Sequence, residues 1–237
     1  MTAELRFRTL GLLGGMSWES TAVYYRLINQ GVAVRGGGLH SAPLLLHSLD
    51  FASVAAAQAA GDWAGLGVQL GAAAAGLVRA GAGAIMIGTN TMHRLAAEVQ
   101  AAAGVPLLHI GDATGAALRT AGVKRAGLLG TRFTMEDVSV LRGHLAERHG
   151  IDTVVPAEAA RAEVHRVIYE ELCRGRIEPA SRAAYAGIID GLKGDGAEAV
   201  ILGCTEIGLL IGAADSALPV FDTTQLHAAM AVDWICS

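Results

Sequence analysis

Short runs of apolar residues recur along the chain, and each is followed by a longer stretch whose apolar positions repeat with helical spacing. The short runs are Leu10–Leu13, Pro43–Ser48, Ala84–Ile87, Pro106–Ile110, Ala126–Leu129, Asp152–Val155, Ala199–Leu202 and Pro219–Phe221. Helical patterns cover Ser20–Arg35, Asp62–Ala80, Met92–Ala103, Asp112–Ala121, Met135–Arg148, Ala160–Arg174, Pro179–Leu192 and Thr224–Ile235. Strands that are apolar throughout, rather than alternating, are buried on both faces. Their alternation with helices predicts an α/β fold with parallel sheets.

The pattern also repeats. The stretch from Thr9, TLGLLGGMSWES, resembles KRAGLLGTRFTMED from Lys124, and GAGAIMIGTNT from Gly81 resembles GAEAVILGCTE from Gly196. Gly11 and Gly127 are 116 residues apart, and Gly88 and Gly203 are 115 apart. Two separate motifs with nearly one offset predict two pseudo-symmetric α/β domains. The first covers residues 1–110 plus 219–237, and the second covers 111–218. A ligand cleft between the halves is expected, because pockets form at domain interfaces and at the carboxyl ends of parallel strands.

Composition narrows the picture. Apolar residues make up 52% of 237 residues, enough for a substantial core, and much of that share is alanine suited to packed helices. No uninterrupted apolar run reaches the ~18 residues of a spanning helix, and MTAELRFRTL lacks the apolar region of a signal peptide. The expectation is a cytoplasmic protein with no membrane partner. A net charge of −4 without a basic run argues against nucleic acid. Cys173, Cys204 and Cys236 are odd in number and widely spaced, which argues against a disulfide framework and a cysteine metal site. Both lysines, Lys124 and Lys193, read as turn residues, so neither suits a pyridoxal-phosphate Schiff base. No cofactor and no metal are expected.

The repeat marks four turns: Gly14–Ser17, Gly88–Thr91, Gly130–Arg132 and Gly203–Glu206. Glycine lets backbone approach a ligand, and free N–H groups at a helix start favour an anion. The plainer alternative is four ordinary turns capped by Ser17, Thr91, Thr134 and Thr205. GLLGGMS does not fit the dinucleotide fingerprint. Cys204 falls in the last turn, where a helix dipole would lower its pKa and favour a thiolate base or nucleophile. Cys173 and Cys236 read as small packing residues. The repeat pairs Cys204 with Thr89, Thr205 with Asn90 and Glu206 with Thr91.

The stretches GLLGGMSWEST, GGLHSAPLLLHSLDF, GTNTMH, EVHRVIYEELCRGRIEPASR, LGCTEIGLL and VFDTTQLHA resemble, in order and over nearly the whole chain, the aspartate/glutamate racemase family. The likeness is to its aspartate racemase and broad amino-acid racemase branch. The resemblance implies two cysteines on opposite faces of the substrate α-carbon, one removing the α-proton and the other returning it. Cys204 matches the second. The first falls at Thr89, whose hydroxyl is a far weaker acid than a thiol, so the two directions become unequal. The resemblance further implies that Met16, Ser17, Asn90, Thr91, Thr131 and Thr205 meet the substrate α-carboxylate and amino groups. Some members hold an arginine after the second strand, where this chain reads His47-Ser-Leu-Asp-Phe51. His165 and Arg166 are then the basic candidates for a side-chain carboxylate, with Glu206 and His93 in support. A homodimer is expected on the same ground.

The leading function is thus cofactor-independent racemisation of an acidic amino acid, aspartate before glutamate. The missing first thiol keeps two alternatives open. One is a single-cysteine decarboxylase or cis–trans isomerase of a small dicarboxylate. The other is an amino-acid-binding protein that has lost its catalysis.

Overall fold

The structure, a computed structural model, describes residues 6–237. Its described residues divide into two compact units, one running to His109 and taking up His227–Ser237, the other Ile110–Leu226. The first unit holds β1 (Leu10–Gly14), α1 (Trp18–Gly36), β2 (Leu44–Ser48), α2 (Phe51–Ala60), α3 (Trp63–Arg79), β3 (Ala84–Ile87), a 3₁₀ turn Thr91–Leu95, α4 (Ala96–Ala103) and β4 (Leu107–Leu108). The second holds α5 (Ile110–Thr120), β5 (Arg125–Gly130), α6 (Arg132–Glu136), α7 (Arg142–His149), β6 (Asp152–Val154), α8 (Glu158–Glu170) and a 3₁₀ turn Leu172–Arg174. It continues with α9 (Pro179–Gly194), β7 (Ala199–Gly203), α10 (Ile207–Leu210) and β8 (Val220–Asp222). The last helix, α11 (Thr223–Ile235), packs into the first core from His227 onward.

Both sheets are parallel, in the orders β2-β1-β3-β4 and β6-β5-β7-β8. These orders are the same under the repeat. In each unit the chain leaves the first strand toward one side and then crosses to the other. The switch point therefore lies between β1 and β3, and between β5 and β7, where open α/β sheets bind ligands. Register brings the paired strand ends together, with Leu13 opposite Ile87 and Gly130 opposite Gly203.

The strands are buried on both faces, as their composition requires. Leu10, Leu12, Ala84 and Met86 pack against α1 and α11, and Leu13, Ile85 and Ile87 against α3 and α4. In the second sheet Ala126, Leu128, Ala199 and Ile201 face α5 and α7, while Leu129, Val200 and Leu202 face α8 and α9. Successive residues pointing to opposite faces produce this division.

Several expected boundaries move. The chain returns to the first unit at His227, not Pro219, because β8 pairs with β7 through Val200–Val220, Ile201–Phe221 and Leu202–Asp222. The pattern Met135–Arg148 breaks into α6 and α7. At the break the Asp137 carboxylate accepts from the Ser139 backbone N–H at 2.9 Å and hydroxyl at 2.6 Å, a local turn that competes with the helix. The run Pro106–Ile110 yields only Leu107–Leu108 as strand, since Ile110 already begins α5. Helix α2 lies outside the expected elements, although Asp50 caps its start and a left-handed Gly61 ends it.

Candidate functional site

In the second unit β7 delivers its chain into a buried turn. Cys204 is 8% exposed and Glu206 only 2%. The Cys204 thiol donates to Glu206 Oε2 at 2.9 Å, and the Thr205 hydroxyl donates to the same oxygen at 2.7 Å. Burial, then the nearby Glu206 charge, raises the pKa of the Cys173 thiol, which comes from the turn Leu172–Arg174. Burial, then the negative charge of Glu206, pushes the Cys204 pKa well above the usual thiol value. This corrects the expected lowered pKa. Helix α10 has four residues and starts three positions later, too little dipole to offset burial beside a carboxylate. Cys173, expected as a packing residue, is a neighbour of the site.

At the end of β5, Thr131 caps α6 by accepting from the Thr134 N–H at 3.3 Å, and the two hydroxyls lie 3.2 Å apart. Thr131, rather than Thr134, is the cap because the helix begins at Arg132. His165 on α8 accepts the Arg132 backbone N–H through Nδ1 at 3.2 Å. Burial and the nearby Arg132 charge lower its pKa, so the ring is neutral near pH 7 and does not supply a cation. Arg166 is matched by Glu163 at 2.7 Å, Glu171 at 2.9 Å and Glu170 at 3.5 Å, which leaves its charge compensated within α8 and the following turn. The exposed Arg132 is the cation whose charge acts on both His165 and Tyr169. It stood in the quoted turn Gly130–Arg132, but nothing in its spacing set it apart.

In the first unit the turn after β1 is built around Thr21. Its hydroxyl accepts the Gly15 N–H at 2.8 Å and donates to the Ser17 carbonyl at 2.7 Å. Gly15 has φ +83°, and a Cβ there would overlap the Leu49 backbone, so the position requires glycine. Ser17 caps α1, while the Met16 side chain is buried in the core, leaving its backbone to face the turn. After β3, Thr89 is half-buried, and Asn90, Thr91 and His93 are buried. His93 Nδ1–H donates to the Thr89 carbonyl at 2.8 Å. The ring stands edge-on to His109 at 4.6 Å and at 5.6 Å from His227, between centroids. His227 in turn accepts from the Tyr24 hydroxyl at 3.1 Å and donates to the Leu108 carbonyl at 2.7 Å. Of this histidine layer under the Thr89 turn only His93 stood out in the sequence, since His109 and His227 reach it from distant parts of the chain.

Neither lysine lies at the carboxyl end of a strand. Lys124 precedes β5 and its N–H donates to Glu198, and Lys193 lies in the last turn of α9. A Schiff-base lysine is therefore not available at these turns. The arrangement offers a buried thiol with a carboxylate partner, a half-buried hydroxyl at the equivalent strand end, and backbone N–H groups at each turn. Among the described residues no helix is long and apolar enough to cross a membrane.

Known proteins share this fold. A candidate Asp/Glu racemase from Yersinia pestis is 50% identical, with a TM-score of 0.90 over 97% of this chain and 100% of that one. An aspartate racemase homologue from Pyrococcus horikoshii OT3 is 31% identical, with a TM-score of 0.81 over 97% of this chain and 100% of that one. An aspartate racemase from Picrophilus torridus shares the fold at 19% identity, with a TM-score of 0.74 over 96% of this chain and 94% of that one. The family profile described as Asp/Glu/Hydantoin racemase matches residues 13–231. With two parallel α/β units and this match over most of its length, the chain belongs to the Asp/Glu/Hydantoin racemase family.

Proposed function

We propose that the protein racemises an acidic amino acid, aspartate before glutamate, by removing and returning the α-proton without a cofactor. Cys204 is the base and acid on one face of the α-carbon, and Thr89 is the hydroxyl on the other. The observation that carries this reading is the buried Cys204 thiol at the end of β7 with its proton directed at a carboxylate 2.9 Å away. Thr89 holds the equivalent position after β3 in the repeat. Both strands adjoin the switch point of their sheet.

The α-proton of an amino acid is only weakly acidic, so the carbanion needs fixed dipoles and little water around it. The turns at Met16–Ser17, Asn90–Thr91, Thr131 and Thr205 supply N–H and hydroxyl groups for the α-carboxylate and amino group. Arg132 takes the side-chain carboxylate in place of His165 and Arg166. General acid–base catalysis by positioned groups accounts for the rate.

The test is incubation with L- and D-aspartate, glutamate and alanine in D2O without added cofactor, following α-deuterium and chirality. Deuterium enters the acidic amino acids ahead of alanine, and Cys204→Ser lowers exchange by about 100-fold or more. No exchange with any of these amino acids overturns the reading. The hydroxyl at position 89 favours a second reading, a single-thiol decarboxylase or isomerase of a small dicarboxylate. Turnover of a malonate-type acid or maleate without amino-acid exchange would select it.

A further inference from the structure

A threonine hydroxyl is a weaker acid than a thiol, so proton transfer at Thr89 depends heavily on geometry. We propose that His93 is the positioning residue for Thr89: it holds the Thr89 carbonyl, thereby aims the hydroxyl, and so governs inversion rather than exchange. The inference rests on the racemase reading, with Thr89 as the group opposite Cys204. Two anchors fix the backbone around Thr89. Before it, the Gly88 N–H donates to the Leu13 carbonyl at 2.8 Å, which continues the pairing of β1 with β3. After it, His93 Nδ1–H donates to the Thr89 carbonyl at 2.8 Å, and the His93 backbone N–H donates to the Asn90 carbonyl at 3.0 Å. With the planar peptides on both sides held, the direction of the Thr89 Cα–Cβ bond is set, and a β-branched side chain has few rotamers left.

The two halves differ at this point. By the repeat offset of 115, Cys204 matches Thr89 and Gly208 matches His93. The Cys204 carbonyl accepts the Ile207 backbone N–H at 3.1 Å, so that turn is closed by main chain. Gly208 has no side chain to contribute, and a Cβ there would overlap the Asp222 carboxylate. The side-chain brace thus stands in the half where a hydroxyl replaces the thiol. The brace is itself fixed. His93 is 3% exposed and packs edge-on to His109 and His227, and His227 is held by the Tyr24 hydroxyl and the Leu108 carbonyl. A ring locked by packing and hydrogen bonds can hold its neighbour to a narrow range of positions.

Inversion needs the Thr89 hydroxyl at the α-carbon, whereas exchange needs only Cys204. The ratio of opposite enantiomer formed to α-deuterium incorporated therefore reads the Thr89 side. It does not depend on the fraction of enzyme that folds, because both rates come from the same active molecules. The measurement is that ratio, with L- and D-aspartate in D2O, for wild type, His93→Leu, His93→Asn and Thr89→Val. His93→Leu keeps apolar bulk and loses the donor, and we expect the ratio to fall by about tenfold. In His93→Asn the amide nitrogen stands as many bonds from the backbone as Nδ1 does, and the ratio stays within about threefold of wild type. In Thr89→Val it falls at least as far as in His93→Leu. A wild-type ratio in His93→Leu, or a fall in His93→Asn as large as in His93→Leu, overturns the inference and leaves the racemase reading intact. A wild-type ratio in Thr89→Val overturns the role of Thr89 and the inference with it. Absence of exchange or of inversion in wild type overturns the racemase reading itself.

Discussion

At Cys204, burial and the adjacent Glu206 charge act in the same direction, and each opposes loss of the thiol proton to water. Thr89 faces a different problem: its hydroxyl gives up a proton at greater cost than a thiol does. The enantiomer whose α-hydrogen points at Cys204 should therefore exchange faster than it inverts. Thr89→Cys restores a second thiol and should raise the ratio of inversion to exchange by about tenfold or more, read as opposite enantiomer formed per α-deuterium incorporated. An unchanged ratio means that position 89 does not face the α-carbon. The strand-end positions of Cys204 and Thr89 were legible because the repeat assigned them by arithmetic. The raised proton affinity of Cys204 was not, because its first cause is burial, which depends on the elements that folding brings around the thiol.

Among the elements, alternation of strands and helices was legible because burial on both faces demands an apolar run. Ends were less so where a side chain bonds its own backbone, as Asp137 does between α6 and α7. Two helical glycines show how packing decides the sign of a substitution. Gly115 on α5 lies against the His149 ring, and a Cβ there would overlap it. His149 also hydrogen-bonds Asp112 at 3.2 Å, tying α7 to α5. Gly115→Ala should lower stability by about 1–3 kcal/mol despite alanine's better helix propensity. Gly187 on α9 has open space at its Cβ, so Gly187→Ala should raise stability by up to about 1 kcal/mol. Urea denaturation of both variants checks the pair; equal shifts would mean that propensity alone governs.

Across the whole molecule, the His227–Ser237 segment returns to the first unit and completes its core with Ala228, Ala231, Val232 and Ile235. His227 begins that return fully buried and hydrogen-bonded as a neutral ring. Burial lowers its pKa from 6.5 to about 4, with a smaller opposing effect from the Leu108 carbonyl. Because the folded value is depressed, the neutral ring's contribution is intact above pH 6.5 and is lost as pH falls toward 4. The shift corresponds to about 3 kcal/mol. Urea midpoints at pH 7 and 4.5 should fall more steeply in wild type than in His227→Gln; parallel slopes would remove His227 as the cause.

The sequence by itself determined the α/β class, the doubled pattern and the strand ends that carry Cys204 and Thr89. Those features reside in local periodicity and in spacing along the chain. Tertiary structure decided that β8 closes the second sheet, that Arg166 is absorbed by its acidic neighbours, and that Arg132 is the cation acting on His165 and Tyr169. It also decided that the Cys204 proton lies against Glu206. Strand pairing and proton affinity depend on which groups folding brings together and how far it removes them from water, and no local pattern of residues carries that information.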